Sequence, residues 1–227
     1  MKQKGGNKEM TKNWIESIAA RVSNFNRTRK YSYFIKQLNP SAKAKLLDVG
    51  FANHEGVRNE MINYLEKHYP YPENITALGV NGKDEFEQHY PLVRAVIYDG
   101  REFPFMDKEF DIGWSNAVIE HVGDRDRQVL FVRELLRTCR VVYFTTPNRY
   151  FPIELHTKLP FLHWLPAACF DRIVRYLGMP WATNQYINLL SKREIQLISQ
   201  EAGAKRISIK GNRFGGFVMD YSIILEM

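Results

Sequence analysis

The stretch FPFMDKEFDIGWSNAVIEHV, Phe103 to Val122, decides how this chain is read. At its centre Phe110–Trp114 is a short apolar run of strand character that leads into SNAVIEHV. Downstream, Val129, Val132 and Leu136 recur at helical spacing, and Cys139–Thr145 is again a short apolar run. Strand, helix, strand with apolar strands is the repeating unit of a sheet buried on both faces.

The same alternation continues upstream. Lys45–Phe51 (KLLDVGF) is a strand ending at a glycine, followed by a helix expected from about Gly56 to His68 with Val57, Met61, Ile62 and Leu65 inward. Ile75–Val80 is a second strand stopped by Asn81-Gly82, and Arg94–Tyr98 a third stopped by Asp99-Gly100. Before the first strand, Trp14, Ile15, Ile18, Val22 and Phe25, then Tyr31, Phe34, Ile35 and Leu38, predict one or two amphipathic helices. Residues 1–9 read as a flexible basic tail, 10–40 as an N-terminal helical segment and 41–227 as one domain. Five prolines among many aromatics mark 147–183 as an insertion. Ser191-Lys-Arg-Glu194 is a capping box opening a helix that stops at Ala202-Gly203. Strands near Lys205–Lys210 and Phe217–Leu225 should pair antiparallel across a Gly211–Gly216 turn. The order predicts an α/β fold with a mainly parallel sheet and helices on both faces.

With 227 residues, 44% apolar and 25% charged, the chain has ample material for a core, which excludes a disulfide-stapled miniprotein and wholesale disorder. No run approaches the ~18 apolar residues of a membrane span, and the first residues lack a secretory signal's apolar stretch, so a cytoplasmic address is expected. Cys139 and Cys169 lack a C-x-x-C spacing, so no metal is expected and both thiols are expected to be buried. The net charge of +7 is lopsided: residues 1–45 carry eleven Lys/Arg against Glu9 and Glu16, and the remainder 21 against 23 Asp/Glu. Only the first fifth therefore has a footprint for polyanions.

In an open α/β sheet, ligands sit beyond the carboxyl ends of the strands. After the first strand come Asp48, Gly50, Ala52 and Gly56, a pattern that fits neither the G-x-G-x-x-G dinucleotide fingerprint nor a phosphate loop, and an ordinary strand-to-helix turn remains open for it alone. Asn81-Gly82 and Asp99-Gly100 end the next two strands with groups able to accept hydrogen bonds from hydroxyls or an amine.

Taken in order, LLDVGFANHEG, ALGVNG, YDGREFPFMDKEFD, SNAVIEHV and VVYFTTPN, followed by SKREIQLISQEAG, resemble the class I S-adenosylmethionine-dependent methyltransferases, in particular their small-molecule, methyltransferase type 11-like members. The resemblance covers about Lys45 to Gly203. It implies a Rossmann-like, seven-stranded, mainly parallel sheet with an antiparallel C-terminal strand, an N-terminal helical lid and an aromatic, proline-rich helical insertion after the fifth strand. S-Adenosylmethionine would be the methyl donor and S-adenosylhomocysteine the product. On this resemblance Asp48, Gly50, Ala52 and Gly56 shape the loop around the methionine moiety, Asn81 with Gly82 meets the ribose, Asp99 with Gly100 the adenine, and Ser115 the methionine edge. Two positions depart from the family: Ala52 stands for glycine, and Asn81 for an acid whose charge-assisted hydrogen bond would be about twice as strong.

The acceptor implied is a small molecule, an oxygen of a sugar or related metabolite. A hydroxyl acceptor needs its proton removed, for which His121 and His156 are the candidates, with His163 behind them. The aromatic insertion walls an acceptor pocket or makes a small satellite core. The basic N-terminus folds over the cofactor as a lid or offers a peripheral contact to an anionic membrane. Nothing in the body resembles an RNA-reading module, so nucleic acid is not expected as a partner. Two other classes stand beside the enzyme: a binding protein of methyltransferase fold without turnover, and an RNA methyltransferase steered by the basic arm.

Overall fold

A computed structural model describes residues 4–51, 63–154, 157, 159–183 and 186–227, with the backbone alone for 4–20 and 167. The helices are α1 (Lys4–Leu38), α2 (Tyr64–His68), α3 (Lys83–His89), α4 (Arg125–Thr138), α5 (Ala167–Tyr176) and α6 (Lys192–Glu201). The strands are β1 (Leu46–Val49), β2 (Ile75–Gly79), β3 (Arg94–Ile97), β4 (Phe110–Asn116), β5 (Cys139–Pro147), β6 (Arg206–Phe214) and β7 (Phe217–Glu226). They form one seven-stranded sheet in the order β3-β2-β1-β4-β5-β7-β6. All pairings from β3 to β5 are parallel, and β7 runs antiparallel to both β5 and β6.

All four residues of β1 are buried because both faces of the sheet are covered. On one face Leu47, Val49, Val142 and Phe144 meet Val129, Val132 and Leu135 of α4 and Ile195 and Ile198 of α6. On the other, Leu46, Trp114 and Tyr143 meet Phe34 of α1, Leu65 of α2 and Phe86 of α3. Phe34 packs edge-on against Trp114 at 4.8 Å, and Trp114 stacks on Tyr143 at 5.0 Å. The sequence explains the helix starts: Asp124 accepts from the Arg127 amide, and Ser191 with Glu194 makes the reciprocal capping box.

Several boundaries differ from expectation. α1 is a single helix that begins at Lys4, within the residues read as a tail, so the 10–40 boundary falls inside a continuous element. β6 runs on to Phe214, and the connection to β7 shrinks to Gly215-Gly216, both at positive φ; the ladder continues past a register shift between Asn212 and Arg213, where β7 carries the extra residue Met219. Of the helix expected from Gly56, residues 63–68 alone are described, and Tyr64–His68 form α2. The insertion leaves β5 at Asn148 and returns beside it, the Arg149 amide donating to Leu190 O at 3.0 Å. Phe170, Val174, Ala182 and Ile187 give it a small core of its own, while Phe161, Trp164, Tyr176 and Trp181 are exposed. Cys169 is exposed on α5 instead of buried, since the inward face of that helix belongs to Phe170 and Val174. Among the described residues, no helix is long and apolar enough to cross a membrane.

Candidate active site

The carboxyl ends of β1, β2, β3 and β4 meet at one edge of the sheet. The Gly50 amide donates to Leu78 O at 2.8 Å and the Tyr98 amide to Gly79 O at 3.0 Å, so the three chains stay joined as they leave the sheet. Gly79 pairs with Ile97; two residues further, Asn81 and Asp99 leave neighbouring strands, both exposed. Each is followed by a glycine at positive φ, Gly82 at 77° and Gly100 at 80°, which turns the chain away and leaves the side chains at the tips. One oxygen of Asp99 accepts from the Arg101 amide at 2.9 Å, which orients the carboxylate.

Gly50 has φ 99°, and a Cβ there would lie 2.3 Å from Val118 Cγ2. The position therefore requires glycine both for its backbone and for the approach of the turn after β4. Ala52 and Gly56 lie outside the described residues, as does His156. Ser115 is buried at the end of β4, and its hydroxyl donates to Val49 O at 2.9 Å, tying β4 to β1. Asp48 is buried as well, beside the buried Glu66 of α2. Burial raises the pKa of both carboxyls, and the charge of Glu66 pushes Asp48 further up, so the pair retains a proton more readily than free carboxylates do.

A second group at the same edge has no counterpart in the sequence reading. Lys30 of α1 is buried and donates to Asn116 Oδ1 at 2.9 Å, and its Nζ lies 3.6 Å from Asp220 Oδ2 of β7. Asp220 also accepts from the side-chain amides of Asn26 and Asn212. Thr145 donates to Asn116 Oδ1 at 2.8 Å, and Thr146 donates to buried Glu120 at 3.1 Å. Burial lowers the Lys30 pKa, and Asp220 opposes that shift. The available signal was the spacing of Asn26, Lys30 and Phe34, four residues apart and hence on one helix face.

His121 ends the short helical turn Ile119–His121 and is exposed, with Nδ1 3.2 Å from Tyr186 O. A carbonyl can only accept, so Nδ1 carries the proton in that bond and the Nε2 of the neutral ring is the basic nitrogen. His163 is buried within the insertion.

The strand order, the parallel register and polar groups at the tips of β1 to β4 define a class I methyltransferase fold. Residues 59–141 match the family model described as a methyltransferase domain. Among solved structures, the chain is similar to an S-adenosylmethionine-dependent methyltransferase from Methanosarcina mazei, at 13% identity over 82% of this chain and 94% of that one, with a TM-score of 0.53. A second, from Aquifex aeolicus, is 14% identical over 86% and 87%, with a TM-score of 0.52. The N-terminal domain of EvdMO1, in the presence of S-adenosylhomocysteine and D-fucose, is 13% identical over 88% and 82%, also at 0.52. No curated protein sequence matches this chain. The chain thus carries a methyltransferase domain match on a Rossmann-like sheet, and the resemblance found in its motifs holds at the level of domain and fold.

Proposed function

We propose that the chain is an S-adenosylmethionine-dependent methyltransferase acting on an oxygen of a small-molecule acceptor, a sugar or related metabolite. The observation that carries this reading is the meeting of the strand tips, with Gly50 at positive φ just after β1 and Asn81 and Asp99 exposed just beyond β2 and β3. In it Asn81 with Gly82 takes the ribose hydroxyls, Asp99 with Gly100 the adenine amine, Ser115 the methionine edge, and Asp48, Gly50, Ala52 and Gly56 shape the loop at the methionine end. When bound, S-adenosylmethionine would supply a methyl group activated by its sulfonium, the sulfur being left as a neutral thioether. What falls to the protein is alignment of the acceptor and removal of its proton.

His121 and His156 are the proposed proton acceptors. The case for His121 is tautomeric, because its Nδ1 contact with Tyr186 O leaves Nε2 basic. α1 is proposed as the lid, since Lys30 and Phe34 seat its C-terminal half on the strand edge. The basic residues of its first half support contact with an anionic surface as a further role.

One observation favours a second reading, a binding protein of this fold without turnover: Val118 rests on Gly50, at the place where the methionine moiety would lie. Calorimetry with S-adenosylmethionine and its demethylated product separates the two readings. Binding of either supports the enzyme, and no heat at millimolar ligand sinks it. A His121→Gln variant should then retain cofactor affinity and lose about 10²–10⁴ in turnover.

A further inference from the structure

Behind the turn that carries Val118 lies a cavity of about 190 Å³, between the insertion and the starts of α4 and α6. Asn188 and Gln128 of its wall bond the Glu120 and Ile119 carbonyls at 2.7 and 3.2 Å, so the Ile119–His121 turn separates it from Gly50. We infer that this cavity binds a small neutral polyhydroxyl ligand of single-ring size, held by His163 and Glu154.

His163 carries the argument. It lines the cavity with 7% of its surface exposed, and neither ring nitrogen forms a hydrogen bond of good geometry. The backbone carbonyls of Phe151 and Arg149 are polar neighbours, yet neither bonds the ring with that geometry. A buried polar group left in this state is costly, and it marks a place where a bound group completes the bonding. Burial lowers the His163 pKa and keeps the ring neutral, with one N–H donor and one acceptor nitrogen. Hydroxyl groups both donate and accept, so they match such a ring.

Charge selects among ligands. Two guanidiniums reach the cavity, but Arg149 lies 3.8 Å from Glu194 and Arg125 is paired with Glu201 at 2.8 Å. The buried carboxylate of Glu154 also lines the wall. An anion would meet Glu154 with both cations already paired, whereas a hydroxyl can donate to that carboxylate, one oxygen of which already accepts from the Thr157 amide. Leu165, Phe170 and Ile187 supply an apolar wall for the C–H face of a ring. The volume is below the ~300–1,000 Å³ of pockets for drug-sized ligands, which limits the occupant to one ring or a short polyol.

This inference goes beyond the methyltransferase reading and is tested apart from it. Saturation-transfer NMR with the full chain would use myo-inositol and D-glucose as neutral probes and D-glucuronate as the anionic one. The neutral probes should bind and glucuronate should bind more weakly. His163→Leu and Glu154→Gln should each weaken myo-inositol by about tenfold, the effect of one lost hydrogen bond, with S-adenosylhomocysteine affinity unchanged. If either variant fails to fold, the wild-type chain still decides, because the His163 ring ¹⁵N shifts should move on adding myo-inositol. The inference is overturned by absence of neutral binding, by preference for glucuronate, by unchanged affinity in a folded His163→Leu, or by stationary ring shifts. Loss of cofactor binding with polyol binding intact would sink the methyltransferase reading alone.

Discussion

Replacing Asp220 by alanine tests how α1 is held on the sheet. The carboxylate is 3.6 Å from Lys30 Nζ, with side-chain exposures of 4% and 8%, and it accepts from the amides of Asn26 and Asn212. Its removal takes the counter-charge from a buried ammonium that keeps only the neutral acceptors Asn116 and Thr145, leaves the Asn26 amide without its acceptor, and leaves the Asn212 amide with Ser222 alone. Breaking such a pair from one side costs about 3–5 kcal/mol, and at ~2–4 °C per kcal/mol for a domain of this size the melting temperature should fall by roughly 6–20 °C. Lys30→Met should cost less, about 1–3 kcal/mol, because Asp220 keeps its two amide donors. The double variant Lys30→Met/Asp220→Leu should return to within ~2 kcal/mol of wild type, since a buried pair is often little better than well-packed apolar side chains. The sign with pH follows from the Lys30 pKa, which burial lowers below its usual 10.5. The folded state favours the neutral amine, so this residue's contribution to stability rises as pH climbs through the lowered folded value towards 10.5, and Lys30→Met removes that rise. Urea titrations of the four proteins, at neutral and alkaline pH, measure all of this. An Asp220→Ala protein within ~1 kcal/mol of wild type would show that the pair does not anchor the helix.

Other perturbations probe the tips, the core and the insertion. Asp99→Ala should weaken cofactor binding by about 1–3 kcal/mol in calorimetry, whereas Asn81→Asp should strengthen it by restoring a charged acceptor; unchanged affinities would mean that neither residue meets the cofactor. Gly50→Ala should lower stability by at least ~1–3 kcal/mol and abolish cofactor binding, and adding Val118→Ala to it should relieve the clash of the new Cβ with Val118 but not its strain at φ 99°. Asp48→Asn should flatten the pH dependence of unfolding: the raised carboxyl pKa of the folded state gives stability that is full below the ordinary carboxylate range and is lost as pH rises towards the folded value. A thiol reagent should label Cys169 in the native protein and reach Cys139 only on unfolding, because Cys139 is buried and its pKa is pushed up to about 12.

The parts legible in the sequence were those specified locally. β1, β4 and β5 are mainly apolar, with residues pointing to both faces buried because both faces of the sheet are covered, even though β1 carries Asp48 and β4 carries Asp111, and the Ser191–Glu194 box states its helix start within four residues. Asn81 and Asp99 could be placed at strand tips because a glycine follows each. The full extent of α1 was hidden by a lysine- and glycine-rich start without apolar periodicity, and the exposure of Cys169 by the choice of which α5 face packs inward. The Lys30–Asp220 pair was invisible for a different reason. Its members are 190 positions apart, and only the antiparallel pairing of β7 with β5 brings Asp220, opposite Pro147, to the carboxyl edge where Lys30 arrives.

That long-range pairing bears on how the proposed lid, cradle and insertion act together. Lys30 bonds Asn116 at the end of β4, Asn116 bonds Thr145 on β5, the adjacent Thr146 bonds Glu120 in the turn after β4, and the Glu120 carbonyl accepts from Asn188 on the return of the insertion. The path runs from buried Lys30 through half-buried Asn116 to buried Thr145, Thr146 and Glu120, reaches the wall of the His163 cavity by a backbone bond to Asn188, and borders the turn that places Val118 against Gly50. In a low-dielectric setting a polar group that loses its partner is costly, so a shift of Asn116 or Glu120 would be transmitted along the path and not absorbed by solvent. The same turn therefore offers a physical route by which occupancy of the cavity and occupancy of the strand-tip cradle would influence each other. Under that coupling, Thr146→Val, which removes one link without changing volume, should reduce any effect of myo-inositol on S-adenosylhomocysteine affinity while leaving each ligand's separate binding in place.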